Sequence, residues 1–280
     1  MKLSEFKFAV PKNAVAKHPA DPRESAKMMV LNRETGEIED RHFKDVLSYM
    51  EKGDVIVVND TKVFPARLFG KKEKTNAKIE VMLLRELKAQ ERIWDVLVEP
   101  ARKVRIGNKI YFDKPPTAGL HFSEKLLKAA EKKGVKIATV QLNIGQGIFE
   151  TIEVEDLTKH RMYSEYFEIT KDSADVINKA LKSKKNVYAV GCSVVRALES
   201  SVLTSGIVKP NKGWTDKFIH PPYEFKIANR FITNFHQPAS PSLLVATAYA
   251  GGKDSMFKAY KRAMKTDYRL FAYGDALMII

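Results

Sequence analysis

The feature that most constrains the fold is the alternation of short apolar runs with amphipathic segments over residues 123–280. The apolar runs are typical of strands, and they cover residues 135–142, 186–191, 231–234, 269–272 and 277–280. The amphipathic or apolar segments between them predict helices over residues 124–133, 173–183, 194–203, 243–249 and 256–264. Such alternation is the pattern of an α/β layer architecture.

The first half of the chain adds strands of two kinds. Residues 28–31 and 54–58 are apolar and predict strands of the main sheet, and helical spacing lies between them at residues 43–50. Residues 77–112 carry short β candidates instead. The fold class expected is therefore a mixed-sheet α/β body with an inserted, shortened, β-rich and barrel-like domain. The body would comprise residues 1–68 and 116–280, and the insertion residues 69–115.

Composition excludes several classes of protein. With 280 residues, one or two domains are expected. There is no apolar run of about 18 residues and no N-terminal apolar run of a signal peptide, so neither a membrane span nor secretion is predicted. The single cysteine, Cys192, excludes an internal disulfide and a cysteine-ligated iron–sulfur cluster. We therefore expect a cytoplasmic protein.

The chain is strongly basic. It has 48 Lys and Arg against 34 Asp and Glu, a formal net charge of +14. Such an excess attracts a polyanion such as RNA, although a lysine-rich solvated surface is the simpler alternative. Charge alone therefore leaves both interpretations open.

Metal and dinucleotide sites are not predicted. None of the six histidines pairs with another at helical metal-ligand spacing, and the lone Cys192 supplies no thiolate site. Gly145-Gln146-Gly147 lacks the third glycine of a dinucleotide fingerprint and predicts a plain turn. A conventional methyltransferase is therefore a weak hypothesis.

Polar residues beside histidines mark candidate sites. His121 follows a glycine-containing turn and precedes a helix, where a ligand can approach the backbone closely. Asp275 precedes an apolar terminus, where a charge needs a partner or a ligand. Simpler roles remain open: His236 could brace the turn before Pro238, and Arg196 and Glu199 could form a surface pair three residues apart.

Several segments, in this order along nearly the whole chain, resemble the S-adenosylmethionine:tRNA ribosyltransferase-isomerase family of queuosine biosynthesis. They are residues 18–23, 53–68, 98–103, 116–122, 160–162, 196–200, 233–236 and 273–280. The chain departs from the family after Lys114, where members carry a further aromatic and proline-rich segment. It also has Gly191-Cys192-Ser193 where the family usually has Gly-Thr-Thr.

The resemblance implies that S-adenosylmethionine donates its ribosyl group to the aminomethyl group of a 7-deazaguanine at the tRNA wobble position. Epoxyqueuosine, adenine and methionine would be the products, with no cofactor and no metal. The partners would be tRNA and S-adenosylmethionine, without a membrane, and a monomer is favoured. The rival is a non-catalytic RNA-binding protein on the same fold.

The resemblance also implies the site residues. His121, Asp60 and Asp275 are the catalytic candidates, with His121 in a proton transfer and the carboxylates facing the sulfonium or ribose. Arg196 would hold the methionine carboxylate in a fork. The substrate-binding candidates are Asn59, Thr61, Arg67, Thr117, Gly119, Arg196, Glu199, Thr233, Asn234 and His236. Because an unfinished sheet exposes its edge, we expect residues 77–112 to be mobile relative to residues 186–280.

Overall fold

The computed structural model describes residues 1–61, 67–88, 90–112, 121–145 and 152–280. The chain divides into a large unit, Met1–Thr61 with Gly119–Ile280, and a small unit, Lys62–Ala118. The sequence put the boundaries of the insertion at residues 69–115. The mixed α/β class predicted from the sequence is confirmed, with a large mixed sheet and a second, antiparallel sheet.

Both sheets are built from short strands, and all the α-helices of the described residues lie in the large unit. The strands β1 to β13 are Lys27–Leu31, Ile38–His42, Val55–Asn59, Arg67–Lys72, Lys78–Lys88, Ile93–Glu99, Ile110–Phe112, Lys136–Leu142, Glu165–Ile169, Val187–Val190, Asn211–Thr215, Arg230–Asn234 and Ala276–Ile279. The helices α1 to α5 are Glu124–Lys132, Lys171–Lys182, Cys192–Ser201, Pro241–Tyr249 and Lys253–Lys265. Short 3-10 helices are Leu3–Phe6, Lys12–Ala14, Arg23–Ser25, Phe43–Tyr49, Ala101–Lys103 and Leu157–Lys159.

The large sheet has nine strands in the order β11-β9-β8-β3-β10-β12-β13-β1-β2. Its middle strands β8, β3, β10 and β12 are parallel to one another, whereas β9, β11, β13 and β2 each add an antiparallel pairing. Apolar side chains leave the strands on both faces, because successive residues of a strand point to opposite sides. Val55 and Val57 join the larger core cluster, while Ile56 joins the smaller one.

Three of the five helices, α1, α2 and α4, begin where the sequence places a capping side chain. The hydroxyl of Ser123 accepts a hydrogen bond from Leu126 N at 3.2 Å at the start of α1. Ser240 does the same for Leu243 N at the start of α4. These caps satisfy amides that have no partner inside the helix. Helix α4 is apolar on all sides and is buried within the larger cluster.

The carboxyl ends of the four parallel strands meet at one side of the sheet, which we call the carboxyl edge. Leu142, Asn59, Val190 and Asn234 are the last residues of β8, β3, β10 and β12. Strand β13 is antiparallel to β12 and begins at this edge, since Ala276 pairs with Asn234. Strand β3 has β8 on one side and β10 on the other, and the crevice outside such a branching point commonly binds ligands.

One predicted strand is wrong, and four strands, β2, β4, β9 and β11, were not predicted. Residues 269–272 form no strand, because the chain turns over residues 271–274, where Phe271 has a φ of 73° and Gly274 N donates to Phe271 O at 2.9 Å. The chain can fold back here because Gly274 has no side chain. A Cβ atom at this position would collide with the backbone of Arg269. Strands β2, β9 and β11 lack a continuous apolar run, since each leaves residues exposed or half-buried.

The small unit is a four-stranded antiparallel sheet in the order β6-β5-β4-β7. Among its described residues, the buried hydrophobic side chains are Ile79 and Val81. Phe69 and Tyr111 are 53% and 61% exposed. The β candidates of residues 77–112 are thus strands, but they enclose little core.

Candidate active site

His121 and Asn234 form a pair at the carboxyl edge. Asn234 Nδ2 lies 3.2 Å from His121 Nε2, 3.2 Å from the carbonyl oxygen of Phe271 and 3.4 Å from that of Gly274. Because two of these partners are carbonyls, the atom facing the histidine is the amide nitrogen, which donates to Nε2. His121 therefore carries its proton on Nδ1.

The surroundings of His121 keep its ring neutral. Its ring centroid lies 4.9 Å from that of Phe43. Burial lowers the pKa of His121 to about 4, with the carboxylate of Asp275 opposing this shift and the guanidinium of Arg269 adding to it. At neutral pH the imidazole thus offers an N–H donor rather than a cation.

A shallow cleft lies beside His121, with a cavity volume of about 10 Å³. Its walls come from three of the segments that the sequence singled out, and they comprise Pro19, Ala20, Arg23, His121, Ala272, Tyr273 and Gly274. These segments are far apart in the chain and converge in the large unit.

Asp275 lies behind this cleft and is 1% exposed. Its carboxylate accepts hydrogen bonds from Lys27 N at 3.0 Å and from Arg269 N at 2.8 Å, and it pairs with the Arg269 guanidinium at 2.9 Å. These contacts tie the start of β1 to the turn before β13. The partner that the sequence required for this charge is therefore present within the protein.

Asn59 and Thr61 close the end of β3 against β8. Asn59 Nδ2 donates to Leu142 O at 2.9 Å and to Ser193 Oγ at 3.3 Å. Thr61 Oγ1 donates to Asn59 Oδ1 at 2.7 Å. Asp60 lies between them and is exposed, with its backbone N donating to Val140 O at 3.0 Å. Its carboxylate is accordingly accessible at the carboxyl edge.

A second histidine cluster lies at the start of α3. Thr233 Oγ1 is 2.7 Å from His236 Nε2, and Cys192 Sγ is 3.4 Å from the same nitrogen. Burial lowers the pKa of His236 to about 4 and raises the pKa of the Cys192 thiol to about 11. Both groups are therefore neutral at pH 7. The turn itself is held by the hydroxyl of Tyr260, which donates to the backbone carbonyl of His236 at 2.8 Å, while the ring of His236 contacts Thr233 across the turn.

Arg196 and Glu199 on α3 are both buried, so the interpretation as a surface pair is wrong. Arg196 Nη1 pairs with Glu165, and Arg196 Nε donates to Lys217 O at 3.1 Å. Arg196 Nη2 is buried without a hydrogen-bond partner among the residues that the structure describes. One donor of this guanidinium therefore remains for a ligand.

Glu199 binds a different part of the protein. Its carboxylate accepts hydrogen bonds from the Tyr223 hydroxyl at 3.1 Å, from Lys226 N at 3.1 Å and from Ile227 N at 3.2 Å. Burial raises the pKa of Glu199. In this arrangement Glu199 anchors the chain between β11 and β12.

The sequence predictions at the remaining positions are not tested. Thr117 and Gly119, like Gln146 and Gly147 of the predicted turn, lie outside the described residues, and for Arg67 only the backbone is described, at the start of β4. Sequence reasoning missed Ser193 and Glu165 as neighbours of the site. Ser193 adjoins the Gly191 turn, which was a signal for it, whereas nothing in the sequence pairs Glu165 with Arg196.

The described part of the chain lacks two kinds of feature. No group of three or more His, Cys, Asp or Glu there is arranged to hold a metal ion. No helix there is both long and apolar enough to cross a membrane.

The comparisons with known proteins agree with one another. The family model described as "Queuosine biosynthesis protein" matches residues 3–115 and 113–279. A relative from Cytophaga hutchinsonii, named S-adenosylmethionine:tRNA ribosyltransferase-isomerase, is 47% identical over 349 residues, covering 100% of both chains. A relative of the same name from Bacteroides fragilis is 43% identical over 351 residues, covering 100% of this chain and 99% of its own.

The chain is also similar to a solved structure. The crystal structure of S-adenosylmethionine tRNA ribosyltransferase from Thermotoga maritima is 32% identical, with a TM-score of 0.67. The match covers 99% of this chain and 100% of that chain.

The alignments also locate a difference in length. The 349 aligned positions of the Cytophaga relative exceed the 280 residues of this chain by 69. The two matches of the family model meet at residues 113–115, directly after β7. This meeting point is where the sequence departs from the family pattern.

Proposed function

The chain belongs to the queuosine biosynthesis protein family, and from that premise we propose that it is an S-adenosylmethionine:tRNA ribosyltransferase-isomerase. The ribosyl group passes to the aminomethyl group of a 7-deazaguanine at the wobble position of tRNA. The product is epoxyqueuosine, and adenine and methionine are released. S-adenosylmethionine is consumed as a substrate, and no further cofactor is required. The reaction takes place in the cytoplasm, and the enzyme acts as a monomer.

The observation that carries the proposal is the neutral His121, held by Asn234 beside a cleft at the carboxyl edge. Adenine is a poor leaving group unless its ring receives a proton or a hydrogen bond. His121 Nδ1–H is the donor for this step, because Nε2 is occupied by Asn234 and the pKa of about 4 disfavours a cation. A neutral histidine with a lowered pKa is an established kind of electrophilic catalyst.

The methionine end of the substrate is assigned to Arg196. Its Nη2, which has no hydrogen-bond partner among the described residues, provides a buried, charged donor for a carboxylate. Helix α3 adds to this attraction, because it begins at Gly191, has no side-chain cap and points its amides toward the carboxyl edge. The exposed Asp60 then faces the sulfonium, where a negative charge is favourable.

Asn59, Thr61 and Thr233 line the edge between these two ends, where their hydroxyl and amide groups position the ribose. Asp275 and Glu199 support this arrangement from behind, since their carboxylates already accept hydrogen bonds within the protein. His236 holds the turn that carries Asn234.

The test is product analysis. The purified chain is incubated with S-adenosylmethionine and tRNA that carries the 7-aminomethyl-7-deazaguanine, and the released small molecules are separated by chromatography. Release of adenine and methionine is expected, and tRNA with guanine at the wobble position is the control that releases neither. Formation of S-adenosylhomocysteine would indicate methyl transfer instead. Binding of tRNA without turnover would indicate the non-catalytic alternative.

A further inference from the structure

One face of the nine-stranded sheet is covered at its centre and open at one end. The smaller core cluster covers this face at Ile56 and Tyr188. The same face continues along β8 to Gln141, which pairs with Glu168 of β9. From Gln141 of β8 outward across β9 and β11, no residue of the face is buried. These residues are Gln141, Tyr166, Glu168, Lys212 and Trp214. We call these five residues the open face.

The alternation of side chains in β9 shows that the open face is built into the strand. Glu165, Phe167 and Ile169 are buried against the other side of the sheet, whereas Tyr166 and Glu168 point to the open face. A strand covered on both sides would instead carry an apolar residue at every position. The sequence of β9 therefore specifies a sheet that is covered on one side only.

Trp214 dominates the open face. Its side chain is 71% exposed, the largest exposure of any aromatic residue in the described part of the chain. Its ring contacts that of Tyr166 edge-on, with centroids 6.0 Å apart and planes at 76°. The Tyr166 hydroxyl donates to Glu168 at 3.0 Å, which fixes the tyrosine ring. The indole is thus supported along one edge and presents apolar surface to solvent.

The chemistry of the open face favours a nucleic acid as its partner. Residues 209–217 contain three lysines and one aspartate, and the whole chain carries a formal net charge of +14. Around the indole the side chains are polar, so the face lacks the continuous apolar area of a protein interface. Exposed aromatic rings on a sheet, with basic residues beside them, stack the bases of single-stranded RNA.

The open face adjoins the candidate active site. Strand β11 ends, and β9 begins, at the carboxyl edge, since Thr215 pairs with Glu165. Strand β11 lies three strand spacings from β3, or roughly 14 Å. A nucleotide on Trp214 is therefore close enough to belong to the same RNA loop as a base that reacts at the edge.

We propose that Trp214, supported by Tyr166, is a stacking platform for a base of the tRNA anticodon loop near the modified nucleotide. This inference rests on the proposed function, in which tRNA is the acceptor. Lys212 pairs with the adjacent phosphate, and Gln141 is available to the base edge. The platform contributes to tRNA affinity and not to the chemical step.

The binding test uses the Trp94→Phe variant, because the chain has two tryptophans and Trp214 is then the only one. Binding of an anticodon stem-loop RNA to this variant should quench the fluorescence of Trp214. In the otherwise unchanged chain, Trp214→Ala should raise the Kd for this RNA about tenfold and Trp214→Phe less than threefold. Lys182→Ala, at the exposed end of α2, is the control and should leave the Kd unchanged. Circular dichroism checks that each variant is folded.

The outcomes separate the platform from the enzyme activity. In adenine-release assays Trp214→Ala should raise the KM for tRNA about tenfold and leave kcat and the KM for S-adenosylmethionine unchanged. Wild-type turnover with an unaltered KM in Trp214→Ala would overturn the platform and leave the function standing. RNA binding that depends on Trp214, without any adenine release, would support the platform and overturn the proposed function. A shift from dimer to monomer in Trp214→Ala, at unchanged RNA affinity, would identify the face as a self-association surface and overturn the inference.

Discussion

The two units of this chain use β-sheets in opposite ways. The nine-stranded sheet of the large unit is packed on both faces over its central strands, and residues such as Phe231 and Ile232 are fully enclosed. The four-stranded sheet of the small unit buries Ile79 and Val81 among its described hydrophobic residues. Hydrophobic burial supplies most of the stabilisation of a domain, so the large unit should hold most of the stability.

The difference in length falls on the weaker unit. The aligned relatives are longer, and the matches of the family model meet directly after β7 of the small sheet. The carboxyl edge is held by β3, β8, β10 and β12 of the large unit, with hydrogen bonds that include Asn59 to Leu142 and Asn234 to His121. We infer that the candidate active site tolerates a shortened small unit because its framework lies elsewhere.

The largest expected effect is on stability, and two phenylalanines test it. Phe231→Ala should lower the free energy of unfolding by about 3–5 kcal/mol, because this side chain is fully buried. Phe69→Ala, in the small unit, should change it by less than about 0.5 kcal/mol, because that ring is 53% exposed. Urea unfolding measures both, with circular dichroism at the helical band for Phe231→Ala and Trp94 fluorescence in a Trp214→Phe background for Phe69→Ala. Equal losses would break the comparison between the units.

The next effect concerns turnover. His121→Ala should reduce kcat by about 100-fold or more if the ring donates to the leaving adenine, while tRNA affinity stays unchanged. Tyr111→Ala removes an aromatic side chain of the small unit that is 61% exposed, and it should leave kcat within about twofold. Adenine release under saturating substrates provides the rates. Near-normal turnover in His121→Ala would remove this histidine from the chemical step.

The pH dependence of stability should also differ between the units. Burial lowers the pKa of both His121 and His236 to about 4 in the folded protein, against about 6.5 in the unfolded chain. Their stabilisation is therefore complete above pH 6.5 and is lost as the pH falls from 6.5 toward 4. Between pH 7 and 5 each histidine should cost the large unit about 2 kcal/mol, so the loss for the two is on the order of 4 kcal/mol.

The small unit supplies the control for this pH effect, because residues 62–118 contain no histidine. Its unfolding is followed by Trp94 fluorescence in a Trp214→Phe background. His236→Asn should reduce the pH dependence of the helical transition. A transition of the large unit that does not move between pH 7 and 5 would contradict the burial of these two rings.

Amide hydrogen exchange should show a smaller difference. We expect amides in β5 and β6 to be protected at least about tenfold less than those in β10, because a sheet with little core opens more easily. Strands β5 and β6 lie within residues 77–112, for which the sequence predicted mobility. Equal protection in β5 and β10 would refute it.

The same contrast explains how far the sequence predicts the fold. Buried central strands such as β3 and β10 are continuous apolar runs, and helices such as α1 carry their own cap and periodicity, so local pattern determines them. Strands β9 and β11 are specified by pairing with neighbours distant in the chain. Their exposed faces carry polar and aromatic residues that look like a loop in isolation.

The candidate site was predictable where chemistry is visible in a single segment. His121 and Asn234 were singled out by residue type, and their contact at 3.2 Å joins segments 113 residues apart. The partners of Asp275 and Arg196 were not predictable from one segment. Asp275 binds the backbone of Lys27 in β1 as well as Arg269, and the carboxylate that pairs with Arg196 comes from Glu165 in β9. Residues 269–272 illustrate the limit of prediction from local pattern. They read as an apolar run, but Arg269 N binds the carboxylate of Asp275, which lies outside the run, and the chain turns instead of forming a strand.

The smallest expected effect comes from removing a single methyl group from one buried isoleucine in each unit. Ile232 and Ile79 are both buried, at 1% and 2% exposure, but Ile232 lies in a two-sided core and Ile79 in a thin one. Ile232→Val should cost about 1 kcal/mol, because its close-packed neighbours cannot fill the space. Ile79→Val should cost about 0.5 kcal/mol or less, because a small sheet with exposed neighbours relaxes around the change. Urea midpoints of the helical signal and of Trp94 fluorescence measure the two losses separately. A larger loss for Ile79→Val would mean that the small unit packs as tightly as the large one.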